Sequence, residues 1–350
     1  MSIVQVTASK NYDIIISAGL LTSAGGHIRN VVKGGIAAIV TDDIVDGLYG
    51  AGLEKSLSNA GFATVKYVIN NGEASKNAAN FIALLNFFAE NRMTRADVVV
   101  ALGGGVVGDL AGFAAASYMR GTHFAQMPTT LLAAVDSSVG GKTAIDLGMG
   151  KNLAGAFYQP DVVLCDYALL DSLLPAVFAD GCAEAIKHGM IADAALFEKF
   201  SGDVHGRIGE IITRSVEIKR DVVCQDEFEM GVRKLLNFGH TVGHAIETCS
   251  DYGVSHGAAV AAGMAVITRA AVKSGLCAED CYSRLVETLE KNNLQYKTQY
   301  TAAELFTAAL ADKKRSGDTI TIVLPERIGK CFTREIAVSD FEDFISLGLD

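Results

Sequence analysis

Hydrophobic residues in the first half of the chain fall in short β-branched runs that alternate with helical patterns. The runs "AAIVTDD" (37–43), "TVKYVI" (64–69), "ADVVVALGGG" (96–105) and "DVVLCD" (161–166) read as strands, and "NAANFIALLNFFAENR" (77–92) reads as a helix between two of them. That alternation predicts βαβ units around a largely parallel sheet, an α/β nucleotide-binding, Rossmann-like domain over residues 1–166. After residue 166 the pattern turns into long Ala- and Leu-rich amphipathic segments, among them "PAVFADGCAEAIKHGMI", "RIGEIITRSVEIKRDVV" and "GAAVAAGMAVITRAAVKSG". Residues 167–350 are therefore expected to form a mainly α-helical C-terminal domain, with one late strand or isolated hairpin at 318–329. No repeat or low-complexity linker interrupts the chain, and its four prolines give little punctuation.

Composition narrows the function. A net charge of −10 argues against nucleic-acid binding, which needs a dense excess of Lys and Arg, so an anionic ligand must be held by a local basic cluster. The N-terminus lacks a basic segment followed by a sustained apolar run, and the apolar stretch at 257–268 is shorter than the roughly 20 residues of a membrane span. A cytoplasmic protein with no membrane partner is expected. The cysteines at 165, 182, 224, 249, 277, 281 and 331 form no CxxC pair and read as reduced thiols, for the most part small buried hydrophobes.

Three stretches carry chemistry. In "VVVALGGGVVGD", Gly103, Gly105 and Gly108 form a GxGxxG frame after an apolar strand, where backbone amides and a helix N-terminus can approach a pyrophosphate. By itself the frame is a weak signal that a tight strand-to-helix turn would also give, and no acid follows about 20 positions on to hold a ribose. The Gly-rich stretch 127–157 places Lys142 and Thr143 after paired glycines, yet Asp136 breaks the Walker spacing; what remains is an anion grip from Lys142, Lys151 and Asn152. In "LLNFGHTVGHAIE", His240 and His244 share one helix face, and with a third ligand, His256 or an acid such as Glu184, they could form a metal site with an open position. Each histidine alone is better read as a hydrogen-bonded core residue; the group favours the metal. Lys187, Lys219, Arg233 and the "DKKR" run at 312–315 add cations suited to a substrate bearing carboxylate and phosphate.

The segments "ALGGGVVGDLAGFAAASYMRG", "PTTLLAAVDSSVGGKTAIDLGMGKNLAGAFYQP", "AEAIKHG" and "RKLLNFGHTVGHAIE…SHG", in this order and spacing, closely resemble the 3-dehydroquinate synthases of the sugar-phosphate cyclase family, from about residue 35 to 330. The resemblance implies conversion of 3-deoxy-D-arabino-heptulosonate 7-phosphate to 3-dehydroquinate and phosphate, in the shikimate pathway, with NAD and a divalent metal, zinc ahead of cobalt. It implies Glu184, His240 and His256 as metal ligands and gives His244 a catalytic, hydrogen-bonding role. For NAD it implies Asp42, Glu73, Lys76, Gly104, Gly105, Asp109, Thr129, Thr130, Lys142 and Lys151. For the substrate it implies Asp136, Lys142, Asn152, Lys187, Lys219, Arg233, Asn237 and Lys314, of which Asp136, Lys142, Lys187 and Asn237 also serve catalysis. Arg120 would reach the substrate phosphate in the neighbouring subunit of a homodimer. His188 stands where the family more often has tyrosine. A sister cyclase such as 2-deoxy-scyllo-inosose synthase is the alternative, set apart by Arg233 and Asn237, whose pairing near the metal suits a carboxylate.

Overall fold

The computed structural model describes residues 1–311, 315–316 and 318–349, and the chain divides into two compact units, Met1–Leu173 and Leu174–Asp350. The 3-10 turn Tyr167–Ser172 thus falls in the first unit.

The first unit is built on a seven-stranded sheet. Its strands are β1 (Ser2–Val6), β2 (Tyr12–Ser17), β3 (Ile36–Asp42), β4 (Ala63–Ile69), β5 (Val98–Gly103), β6 (His123–Pro128) and β9 (Val162–Asp166), while β7 (Lys142–Leu147) and β8 (Gly150–Phe157) pair separately as an antiparallel hairpin. The spatial order is β1-β2-β9-β6-β5-β3-β4, parallel throughout except for the edge pair β1–β2. Helices α1 (Ala24–Val31), α2 (Ala51–Asn59), α3 (Ala78–Glu90) and α4 (Gly105–Ser117) complete the unit.

Burial on both faces explains the unbroken apolar runs. Ala37 and Ile39 of β3, with Val98 and Val100 of β5, pack into one core cluster with Ile28 of α1 and Leu57 of α2. Ala38 and Val40, with Val99 and Ala101, pack into another with Leu84 and Phe88 of α3 and Leu110 of α4. This is the expected Rossmann-like, doubly covered sheet. Three of its strands, β1, β2 and β6, were not among the runs read as strands, and the Gly-rich stretch read for its anion chemistry contains the β7–β8 hairpin.

The second unit is mainly helical, as expected. It contains α5 (Pro175–Ala192), α6 (Ile208–Gln225), α7 (His240–Cys249), α8 (His256–Lys273), α9 (Cys281–Lys291), α10 (Ala302–Ala311) and α11 (Val338–Gly348). The late apolar run is a strand, β11 (Thr319–Arg327), paired antiparallel with β12 (Lys330–Ala337) and with the two-residue β10 (Arg315–Ser316). At the centre lie α5 and α8, buried almost continuously over 181–191 and 259–268. Their contacts, and that of α8 with α7, are made through glycine. A Cβ at Gly257 would lie 2.3 Å from Asp180 Cα, and one at Gly263 would lie 2.1 Å from Gly239 O, so any larger residue would push these helices apart. Among the described residues, no helix is long and apolar enough to cross a membrane.

Candidate functional site

In the first unit the candidate cofactor residues gather at strand ends. β3 pairs with β4 on one side and β5 on the other, so the order reverses there, and open α/β sheets bind ligands beyond the carboxyl ends of strands at such a point. Asp42 closes β3, Gly103 closes β5, Gly104 is the N-cap of α4 and Gly105 its first residue. A Cβ at Gly104 would stand 3.1 Å from Thr130 Cγ2, so the missing side chain keeps the amino end of a 13-residue helix open to an anion. Thr129 N donates to Gly103 O at 3.0 Å, tying the loop after β6 to the turn after β5. The acid beside this turn is Asp42, far upstream in sequence but one residue past the Thr41–Leu102 strand pair; its Oδ1 accepts from Ile44 N at 3.0 Å and Val45 N at 2.9 Å.

Next to the turn, Lys76 is 5 % exposed and ringed by acids. Its Nζ lies 2.6 Å from Glu73 Oε1, 3.4 Å from Asp109 Oδ2 and 3.8 Å from Asp146 Oδ1. Burial alone would lower the Lys76 ammonium, but Asp109 and Glu73 outweigh it and hold the group above its usual range. Burial pushes the Asp109 carboxyl up to about 7, only partly opposed by Lys76. Asp146 was missed in the sequence, where nothing distinguishes it from a surface acid. The remaining sequence-predicted residues of this unit are spread along it. Asp136 lies in the turn Ala133–Ser137, Lys142 opens β7, and Lys151 and Asn152 lie on β8. Arg120 is exposed at the end of the turn Tyr118–Arg120 with φ of 65°.

The raised Asp109 carboxyl has a stability consequence of definite sign. Above its ordinary value of 3.8 the unfolded chain loses this proton while the folded chain keeps it, so folding is progressively disfavoured from pH 4 towards about 7. At about 1.4 kcal/mol per pKa unit the ceiling is roughly 4 kcal/mol, reduced because the side chain is 20 % exposed. Asp109→Asn is expected to be more stable than the parent at pH 8 and to lose that advantage at pH 4; equal differences in thermal unfolding at the two pH values would remove the buried-carboxyl account.

In the second unit three helices converge. Glu184 sits on α5, His240 opens α7 and His256 opens α8. Glu184 Oε1 lies 3.5 Å from His240 Nε2 and 3.4 Å from His256 Nε2, and one ligand atom of each residue lies within 4.8 Å of the others. Asp180, one turn before Glu184 on α5, sets the entry of α8: its Oδ1 accepts from Ser255 Oγ at 2.6 Å and Ala258 N at 3.2 Å. His240 Nδ1 faces Phe238 O at 3.2 Å, which fixes the hydrogen there and leaves Nε2 to bind an ion. His256 Nδ1 faces the buried Glu247 Oε2 at 3.4 Å, the carboxylate–histidine arrangement that orients metal-binding imidazoles. Burial and the Lys187 charge hold His240 well below its usual range. Burial would lower His256 too, but Glu184 and Glu247 push it up to about 10.

His244, one turn along α7, places its ring centroid 5.4 Å from that of His240 and 6.0 Å from that of His256. With Glu247 and His256 it forms a second triad spaced for an ion. Two features favour the Glu184 set: a single carboxylate oxygen meets both Nε2 atoms, and Glu247 already takes the opposite ring nitrogen of His256. Glu247 was not found in the sequence, although its spacing of three from His244 puts it on the same face of α7.

Lys187 adjoins this cluster, and two further buried cations lie in the same unit. Lys187 Nζ pairs with Glu184 Oε2, and both side chains are 1 % exposed. Lys219 on α6 and Arg233 are buried at 6 % and 2 %. Arg233 and Asn237 share the short helix Val232–Asn237, with Arg233 N accepted by Asp226 Oδ2 at 3.0 Å, the Arg233 guanidinium donating to Glu227 O, and Asn237 Nδ2 donating to Glu229 Oε1 at 2.5 Å. Glu229 was also missed. Lys314 lies outside the described residues.

Comparison with known proteins agrees along the whole chain. A family model described as "3-dehydroquinate synthase N-terminal" matches residues 66–180, and one described as "3-dehydroquinate synthase C-terminal" matches residues 181–315. A 3-dehydroquinate synthase of Enterococcus faecalis is 43 % identical over 353 residues, with 99 % of both chains covered. Among solved structures, 2-deoxy-scyllo-inosose synthase complexed with carbaglucose-6-phosphate, NAD+ and Co2+ superposes with a TM-score of 0.89 at 25 % identity, covering 99 % of this chain and 100 % of the other. The 2-epi-5-epi-valiolone synthase of Streptomyces hygroscopicus, with NAD+ and Zn2+ bound, shares the fold at a TM-score of 0.88 and 24 % identity, covering 98 % of each chain.

Proposed function

This chain belongs to the 3-dehydroquinate synthase family, and from that premise we propose how its residues divide the work of a phosphate-eliminating cyclase acting on 3-deoxy-D-arabino-heptulosonate 7-phosphate. NAD and a divalent cation, zinc ahead of cobalt, supply reversible hydride removal from a substrate alcohol and polarisation of its oxygen, which together make the adjacent C–H acidic enough for phosphate to leave without net oxidation.

The residues fit both groups. Glu184, His240 and His256 offer the acid-and-two-imidazole donor set of a catalytic zinc site with an open position. The open Gly104 turn at the start of α4, with Asp42, Glu73, Lys76, Asp109, Thr129 and Thr130, is assigned to NAD. Arg233 presents a planar fork to the substrate carboxylate, and Lys187, Lys219 and Lys314 present point charges to its oxyanions. Buried, Lys187, Lys219 and Arg233 act without the screening of bulk water, so each favours the negative charge that develops as phosphate leaves. Asn237 and Asp136 hold substrate hydroxyls in place, and His244 moves a proton beside the metal ligands. Lys142, Lys151 and Asn152 on the β7–β8 hairpin grip the substrate, the two lysines also bordering NAD. Arg120 completes the phosphate site of a partner subunit in a homodimer. Free thiols at all seven cysteines are consistent with the cytoplasm.

The observation that carries this reading is one Glu184 oxygen meeting two imidazole Nε2 atoms while a buried lysine pairs with the other oxygen. Purified protein given the heptulosonate phosphate and NAD is expected to release phosphate with no accumulation of reduced cofactor and to stop when a chelator is added. Reduced cofactor rising with turnover would identify a net dehydrogenase instead, and release from glucose 6-phosphate alone would identify the sister cyclase.

A further inference from the structure

The β7–β8 hairpin is irregular at one point. Its register runs evenly to the Ile145–Ala154 pair and then shifts, so that Leu147 faces Gly150 and Asp146 stands opposite the bulged residues 151–153. Within the bulge, Asn152 has φ of 55°, a left-handed conformation that asparagine tolerates but that needs support from its surroundings. The support is Asp146, whose Oδ1 accepts from Asn152 N at 2.7 Å. The same oxygen lies 3.8 Å from Lys76 Nζ. Asp146 is itself fixed through its backbone: its N donates to Lys76 O at 2.8 Å, and it forms a parallel bridge with Asn77.

We propose that Asp146 is a positioning residue, which uses one carboxylate oxygen to hold Asn152 in its left-handed conformation while its backbone ties the hairpin to the segment bearing Glu73 and Lys76. The inference rests on the reading of Asn152 as a substrate-binding residue. A bulge on a two-stranded hairpin is a weak platform, because such a hairpin has little stability alone, and the anchoring to Lys76 and Asn77 supplies what a wider sheet would otherwise give. Asp146 touches no substrate in this role; its carboxylate acts on Asn152 through the backbone, beside its contact with Lys76.

The test is a double-mutant cycle on the steady-state kinetics of the metal-loaded enzyme with saturating NAD. D146A is expected to raise the KM for the heptulosonate phosphate about tenfold with metal content unchanged, and D146N, which keeps an acceptor oxygen, to stay within about threefold of the parent. In an N152A background, D146A is expected to add no further increase, a dependence that general loosening of the fold would not produce. Should D146A not fold, D146S takes its place, its hydroxyl being too short to span the same gap. An impaired N152A beside an unaltered D146A, or independent multiplicative effects in the double variant, would overturn the inference alone. An N152A enzyme with unaltered KM would overturn both the role given to Asn152 and the inference built on it. D146N behaving like D146A would overturn it as well, by assigning the effect to charge.

Discussion

His240→Ala is expected to lose bound metal and phosphate release together. His240 is 8 % exposed, its Nε2 faces the Glu184 carboxylate, and its Nδ1 is already committed to Phe238 O, so truncation removes one of the three donors that meet at Glu184. A Lewis-acid metal lowers the barrier by several kcal/mol. At about 1.4 kcal/mol per tenfold, its loss lowers phosphate release by roughly a thousandfold or more. Elemental analysis after dialysis, run beside the phosphate assay, checks the result. Full metal content in the folded variant would contradict the assignment, and would turn attention to the alternative triad of His244, Glu247 and His256. His244→Ala separates the two sets further, since it is expected to retain metal and lose rate.

The second large effect is expected at Arg233. Among the described residues its side chain is the largest of the fully buried ones, and its position near the start of Val232–Asn237 is fixed by Asp226 and Glu227. A charge-assisted hydrogen bond contributes about 1.5–3 kcal/mol. Arg233→Ala should therefore raise the KM for the carboxylated substrate by roughly 10- to 100-fold while NAD affinity, measured by calorimetry, stays within about twofold. Arg233→Lys keeps the charge and much of the volume but not the fork, and should fall between the two. Equal losses for substrate and NAD would show that Arg233 supports the fold and not the carboxylate.

Much of this arrangement could be read from the chain before any coordinates. The central parallel strands β3, β5 and β9 were visible because both sheet faces are buried, which leaves unbroken apolar runs, whereas the edge strand β4, in which only Ile69 is buried, was visible from its β-branched and aromatic residues. β1, β2 and β6 were harder. In β1 only Val4 and Val6 are buried, so the strand carries a half-exposed pattern and no strong run, and β6 includes His123, Gln126 and Pro128, which dilute the apolar signal. The helical second half was legible from its amphipathic segments.

At the site, the spacing of four between His240 and His244 announced imidazole chemistry but could not say which one would meet a carboxylate. That choice depends on where α5 and α8 cross α7, a tertiary distance set by contacts at Gly239, Gly257 and Gly263. Asp146 left no legible mark and Glu247 only its spacing from His244, for the same reason. Each acts through one partner distant in sequence or on an adjacent element, and an isolated acid has no period to betray it. Lys314, implied by the family resemblance within the "DKKR" run, has no described position to compare.

The glycine crossings have one more consequence. Where Gly263 meets Gly239 and Gly257 meets Asp180, main chain rests directly on main chain, with no flexible side chain between to act as a cushion. The spacing of the backbone positions that carry the three donors is therefore inherited from the skeleton of the helical unit, so an ion of different radius can be met only by turning the Glu184, His240 and His256 side chains on that frame.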